Sequence, residues 1–414
     1  MTPGSTFHHP PALSLGHALR ALLSLCALLA VVIAVVSLAG APQAKAQSPA
    51  AGAQIKRGLV ILVQFPDVPH DVSRELVQRR FAGHLNRYVR EMSGESVGLE
   101  VDVTPAWNTL PHPVDQYRIS PRNLEVDKTR GRKLIDDALE TLGPNADLGG
   151  YDFIALMLGA KVSEYGMVGL CGYPGMLGWS TADVYRTRNG REVRGGVAIF
   201  TSQAHLGTLF HDVAHVLGGV QNGKRAVPCL YDHDLQAKPG PLRETFTGAI
   251  INMGYWDPMS CHFYKRELPP PGISSWTRLR LNWLDAARVT AVLPGQQAEV
   301  LLGPLEDPAA QTAVIKIPLT ESTYYLVENR QPIGFDKNLP GSGVLIMFAD
   351  DRVAECRHGK APVKLMNADP AMPGLEGAAF DAARRNTFED KQNKLRIQIL
   401  EEISGAYRIL VSRR

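Results

Sequence analysis

Apolar runs and amphipathic stretches alternate along the chain to about residue 285, after which closely spaced β-like runs take over. Gly58–Phe65 (GLVILVQF) is a continuous apolar run closed by Pro66-Asp67, the pattern of a buried strand. Residues 71–92 place apolar side chains at helical spacing among mixed charges and end near Ser93-Gly94, which predicts an amphipathic helix. Val97–Val103 alternates as a strand. Residues 123–142 predict a second helix, stopped by Gly143-Pro144. Tyr151–Leu158 (YDFIALML) is another buried strand, and the glycine-rich residues 159–195 predict a long loop or hairpin. Gly196–Thr201 predicts a short strand, with Ser202 a candidate cap for the next helix.

Beyond Leu284 the β-like runs are Ala298–Leu302, Ala313–Ile317, Tyr324–Glu328, Val344–Phe348, Leu395–Leu400 and Tyr407–Val411, separated by turn residues. The pattern predicts an α+β (α/β-like) domain over residues 58–286, then a β-rich, sandwich-like domain over 287–414. Residues 47–57 read as a flexible lead-in.

The first residues change the compartment. Residues 1–20 are weakly basic, and Ala21 to Gly40 is apolar without charge. Ala44-Lys45-Ala46 then supplies a small-residue cleavage site, so residues 1–46 read as a secretory signal. The apolar run is also long enough to serve as an uncleaved anchor, the one case in which the chain would contact a membrane. Either way the folded part is expected to be secreted or extracytoplasmic. Cys171, Cys229, Cys261 and Cys356 would remain, an even number that permits two disulfides in three pairings or leaves free thiols.

Composition removes other classes. A content of 45% hydrophobic and 21% charged residues excludes a wholly disordered chain and a polytopic membrane protein. A formal charge of +3, with scattered basic residues, gives no nucleic-acid footprint.

The chemistry concentrates in Thr208–Gly219 (TLFHDVAHVLGG). His211 and His215 lie four apart on a predicted helix, which puts both imidazoles on one face, one turn apart, as a zinc pair requires. Asp212 follows the first histidine, where zinc peptidases carry the Glu general base for the attacking water. The third ligand stays open. Gln221 is a poor ligand, whereas Val227–Asp234 (VPCLYDHD) offers Cys229, Asp232, His233 and Asp234. His211-Asp212 also reads as the His-Asp pair of metal phosphohydrolases, but an all-helical fold would carry that pair and the β-rich tail argues against it. No Gly-x-Ser-x-Gly elbow is present.

Over most of residues 58–414 the chain resembles the immune-inhibitor-A-type secreted metallopeptidases, a metzincin-like zinc family. The resemblance runs through LVILVQFPD (59–67), EMSGESVGLEVDV (91–103) and YDFIALM (151–157) to HDVAHVLG (211–218), where the family has His-Glu-x-x-His-x-x-Gly. It continues through Trp256–Ser260, similar to the Met-containing turn below the metal, then PPPGISSWTRLRLNWL (269–284), YYLVENRQPIGFDKNLPGSGVLI (324–346) and FEDKQNKLRIQI (388–399). It implies a metzincin-type fold and a secreted zinc endopeptidase acting on protein or peptide substrates. His211 and His215 would be ligands, Asp212 the base, Met259 the floor under the metal, and calcium a further stabilising ion. Asp336 and Asp390 are calcium candidates. Two positions depart from the family: Asp212 replaces Glu, and Gln221 stands where a ligand is expected. If GGVQNGKRA is an insertion, Cys229 aligns with the ligand position. These departures imply an alternative, a catalytically degenerate scaffold that acts as an extracellular binding module.

Overall fold

The structure, a computed structural model, describes residues 52–121, 126–178, 184–232, 252–372 and 374–413. Residues 1–46, expected to be a signal or anchor, therefore lie outside the described residues, as do His233 and Asp234. No described helix is long and apolar enough to cross a membrane.

The fold is mixed α/β and rich in sheet. Its first sheet is built from β1 (Gln54–Gln64), β2 (Val97–Val103), a short β3 (Asn108–Thr109), β4 (Phe153–Leu158) and β5 (Gly169–Tyr173). After a small hairpin, β6 (Val184–Arg186) and β7 (Glu192–Arg194), it is completed by β8 (Val197–Thr201). The order is β2-β1-β4-β8-β5; the first four strands run parallel and β5 pairs antiparallel with β8. Both faces are covered, which explains why β1 and β4 read as unbroken apolar runs. On one face Val60, Leu62, Ala155 and Met157 pack with α1 (Arg74–Gln78), a π-helical stretch (Arg79–Leu85) and α2 (Asn86–Met92). On the other, Ile61, Val63, Ile154 and Leu156 pack against α3 (Lys128–Glu140).

The glycine-rich stretch, expected to be a long loop or hairpin, holds the hairpin β6–β7 and, beyond that expectation, a one-turn α4 (Val162–Tyr165) and the edge strand β5. Glycine is required there by close approach rather than by flexibility. A Cβ on Gly169 would stand 2.5 Å from Thr208 Cγ2 and 2.6 Å from Asp212 Oδ2. The next helix, α5 (Leu206–Gly218), is capped by His205, whose Nδ1 accepts from Gly207 N at 3.0 Å. Ser202 is not the cap. Its N–H donates to Ala160 O, which holds it in the turn before the helix.

After the hairpin β9 (Val220–Gln221) and β10 (Lys224–Arg225) and the short α6 (Ser275–Arg280), two further sheets follow. Their strands are β11 (Val289–Ala291), β12 (Gln297–Leu302), β13 (Val314–Pro318), β14 (Thr323–Arg330), β15 (Gly343–Asp350), β16 (Val363–Leu365), β17 (Thr387–Asp390), β18 (Leu395–Ile403) and β19 (Ala406–Arg413). One sheet has the order β11-β13-β14-β15-β16 and the other β12-β19-β18-β17. Ile315, Val327 and Ile346 of the first meet Val300, Ile397 and Ile409 of the second in one apolar layer. The alternate side chains Val314, Leu326 and Leu345 join the cluster that contains Phe210 and Trp283. The five-stranded sheet is thus buried on both faces, and residues Ser48–Arg414 form one compact unit.

A buried ionic network lies where this sheet meets α6. Arg330 donates through Nε and Nη2 to both oxygens of Asp336 (2.7 and 2.6 Å), through Nη1 to Glu328 Oε1 and Trp256 O, and through Nη2 to Gly272 O. Close by, Arg278 pairs with Glu306, whose Oε2 has no hydrogen-bond partner. Burial pushes Glu306 up from 4.5 to about 7 against the pull of Arg278, and the Asp336 carboxylate adds to the rise. Between those values the folded chain keeps a proton that the unfolded chain releases, so stability is expected to fall as pH rises through this window. The slope is about 1.4 kcal/mol per pH unit for one proton. Chemical unfolding of Glu306→Gln, measured at several pH values, should lose that slope; an unchanged slope would assign it to other groups.

Candidate metal centre

Helix α5 delivers the two imidazoles. Its apolar residues Leu209, Phe210, Val213 and Ala214 anchor it in the core, and this fixes the rotation that turns His211 and His215 toward the same point. The ring centroids are 4.6 Å apart and nearly perpendicular. Each ring is oriented from behind. His211 Nδ1 lies 2.9 Å from Pro258 O, and His215 Nδ1 lies 2.6 Å from Val227 O. A backbone carbonyl demands an N–H at Nδ1, so both Nε2 atoms keep their lone pairs for a ligand.

The third group arrives by way of the hairpin β9–β10. It reverses the chain after Gly219 and brings residues 226–230 back along the end of α5. Gly218 permits that approach, since a Cβ there would stand 2.7 Å from Val227 Cγ2. Cys229 Sγ then sits 3.5 Å from His211 Nε2 and 3.4 Å from His215 Nε2. All three side chains are buried, and together they can hold a metal ion. They are the one such cluster of three among the described residues. Asp232 is directed elsewhere and accepts from Gly359 N at 2.8 Å. Gln221 belongs to the hairpin rather than to the cluster.

The four described cysteines are buried, and none of them is in a disulfide. The two calcium candidates spend their carboxylates internally. Asp336 binds Arg330, and Asp390 accepts from Tyr325 Oη and Asn393.

The electrostatics of the two imidazoles differ. Burial pulls His215 down to about 4, aided by the nearby Arg225 charge, so it is neutral and able to ligate at physiological pH. Burial also pulls His211 down, but its hydrogen bond to Cys229 and the charges of Cys229 and Asp212 leave it above its ordinary value. Asp212 is buried beside the cluster, and desolvation pushes it up to about 7. One of its oxygens, Oδ2, has no hydrogen-bond partner. The cluster opens on a cavity of about 40 Å³ that Asp212, Tyr231 and Arg225 also line. Two neighbours were not singled out from the sequence. Tyr231 lies almost parallel to the His211 ring at 5.7 Å between centroids, and His262 lies 4.5 Å from it and meets Thr208 Oγ1 at 3.0 Å. Sequence spacing carries no signal for either.

Below the helix, Asp257 holds the turn that supplies Pro258. Its carboxylate accepts from Met259 N, Ser274 N, Ser274 Oγ and Thr277 Oγ1 at 2.6–2.9 Å. Met259 is fully buried in the same cluster as Trp256, Trp276 and Trp283. Its carbonyl accepts from Leu230 N, which ties the turn to the segment carrying Cys229.

Compared with models of known protein families and with curated proteins, the chain matches none.

Proposed function

We propose that the chain is an exported zinc-dependent endopeptidase of the immune-inhibitor-A type, built on a metzincin-like scaffold, with His211, His215 and Cys229 as its metal ligands. The observation that carries this reading is the buried His-His-Cys cluster beside the Asp212 carboxylate, whose Oδ2 has no hydrogen-bond partner. Zinc–nitrogen and zinc–sulfur bonds of about 2.0 and 2.3 Å, at tetrahedral angles, place N and S about 3.5 Å apart. The separations of 3.4 and 3.5 Å fit that requirement. Thiolate and imidazole together also favour zinc over calcium or magnesium. When bound, zinc would supply Lewis acidity toward a peptide carbonyl and toward water.

The chain's own residues supply the rest. Pro258 O and Val227 O fix the ring orientations. Asp212 Oδ2 receives and returns a proton, and its raised affinity for protons suits that exchange near neutral pH. The edge strand β5, which carries Gly169 and Leu170 beside the cluster, can pair with an extended substrate backbone. Asp212 is one methylene shorter than the family's Glu, and the cavity of about 40 Å³ is small. Both features favour the second reading, a metal-holding scaffold that binds rather than cleaves.

Cleavage of an unfolded protein by the zinc-loaded chain separates the two. Asp212→Asn should retain zinc and lose about 100-fold or more in kcat/KM, the contribution typical of a positioned acid–base group. A zinc-loaded chain that cleaves nothing, alone or as Asp212→Glu, would overturn the peptidase reading.

A further inference from the structure

His262 reaches the cluster from the chain that follows the Met259 turn. Its backbone lies directly against the first turn of α5, where a Cβ on Gly207 would collide with His262 O. The same segment is tied down a second time by His205 Nε2, 2.9 Å from Leu268 O. The His262 ring is half-buried and stands 4.5 Å from the His211 ring between centroids. It is not one of the three side chains whose ligand atoms converge, so it lies beside the metal position rather than at it. Thr208, one helical turn before His211, fixes the ring. This threonine is buried, its methyl faces Gly169 of β5, and its Oγ1 lies 3.0 Å from His262 Nδ1. Its hydroxyl makes no other hydrogen bond among the described residues. The carbonyl four residues back, the usual alternative for a helical threonine, is Ala204 O, which accepts from Arg80. Thr208 therefore donates to Nδ1, and the proton of the neutral ring sits on Nε2. That Nε2–H makes no hydrogen bond among the described residues.

We propose that His262 is a further catalytic residue, whose Nε2–H donates to the substrate carbonyl oxygen as that oxygen gains negative charge, with Thr208 as its positioning residue. The proposal rests on the peptidase reading. In the first half of the reaction the water oxygen bonds to the carbonyl carbon, one water proton passes to Asp212 Oδ2, and the C=O π pair moves onto the carbonyl oxygen. In the second half that pair returns as the C–N bond breaks, and the leaving nitrogen takes the proton from Asp212. His262 surrenders no proton in either half. Its hydrogen bond is strongest between them, when the oxygen carries the charge, and so it lowers the barrier more than it tightens substrate binding. A neutral imidazole held in one tautomer suits that task.

Two peptides of one sequence test it by calorimetry against the zinc-loaded full chain. One carries a phosphinic group in place of the scissile amide, which puts an anionic oxygen where the charge develops. The other carries a methylene-amine there and has no such oxygen. His262→Phe keeps a planar ring without the donor. It should weaken the phosphinic peptide by about 100-fold, change the methylene-amine peptide by less than about 3-fold and retain zinc. His262→Gln restores an N–H donor and should recover about 10-fold of that loss. Thr208→Ser should likewise recover most of what Thr208→Val loses. In cleavage of the parent peptide, kcat should follow the phosphinic affinity while KM stays within about 3-fold. An unchanged phosphinic affinity in His262→Phe overturns the proposal, and so does an equal loss of both peptides, which would make the ring purely structural. A selective loss of the phosphinic peptide in a chain that cleaves nothing upholds the donor and sinks the peptidase. Cleavage untouched by His262→Phe does the reverse.

Discussion

Replacing Cys229 by alanine is expected to lower the affinity for zinc by about 100- to 1,000-fold without unfolding the chain. Structural zinc sites bind with roughly 10–16 kcal/mol. Spread over four ligands, that is about 3–4 kcal/mol each, or about 100- to 1,000-fold in affinity. The sulfur also carries the negative charge that two neutral imidazoles lack, so its removal costs Coulomb attraction as well as one bond. The fold should persist, because Cys229 is a small side chain on an irregular segment held by Leu230 N on Met259 O and by Val227 O on His215. Competition against a chromophoric chelator reads the affinity directly. Asp232→Ala is the paired control. Its carboxylate accepts from Gly359 N, so zinc affinity should change little. Retention of zinc by Cys229→Ala with its loss in His233→Ala would transfer the third position to His233.

Arg330→Met should be the most destabilising single change away from the metal, at about 3–5 kcal/mol. The guanidinium has five N–H groups, and the structure uses each one: two on Asp336, one on Glu328, one on Trp256 O and one on Gly272 O. Methionine fills much of the volume but leaves two fully buried carboxylates without their cation. Lysine would keep the charge and lose the planar fork, so Arg330→Lys should recover only part of the stability. Thermal unfolding with zinc present should record a fall of roughly 5 °C for the methionine variant. A loss below about 1 kcal/mol would mean that the carboxylates find protons or water instead. Because Trp256 O and Gly272 O flank the turn that holds Pro258, the same variant should also loosen His211 and weaken zinc modestly.

The legible part of this site was the part made by neighbours in sequence. His211 and His215 lie within one helical turn, and a local period places them together regardless of the rest of the chain. The longer strands of both halves were readable for the same reason, since apolar runs and alternation are local, whereas the short β11, β16 and β17 were not. Cys229 was one of several open choices, because its position depends on a two-stranded reversal at residues 220–225 and on the loop between β15 and β16. Neither leaves a periodic trace. Strand β5 was hidden by its glycines, which low strand propensity assigns to a loop but which this edge needs in order to lie against Asp212 and Thr208. His205 took the capping role from Ser202 because a ring nitrogen can accept as an oxygen does, which composition rules for caps do not weigh.

The loop between β15 and β16 grips the segment bearing Cys229 at three points: Glu355 on Arg225, Arg352 O on Lys224 and Gly359 N on Asp232. The C-terminal sheets therefore help to position the candidate metal centre. A fragment ending near residue 286 would encode every proposed ligand yet leave the Cys229 sulfur without a fixed address. Such a fragment would hold two imidazoles on a helix, with their third partner adrift.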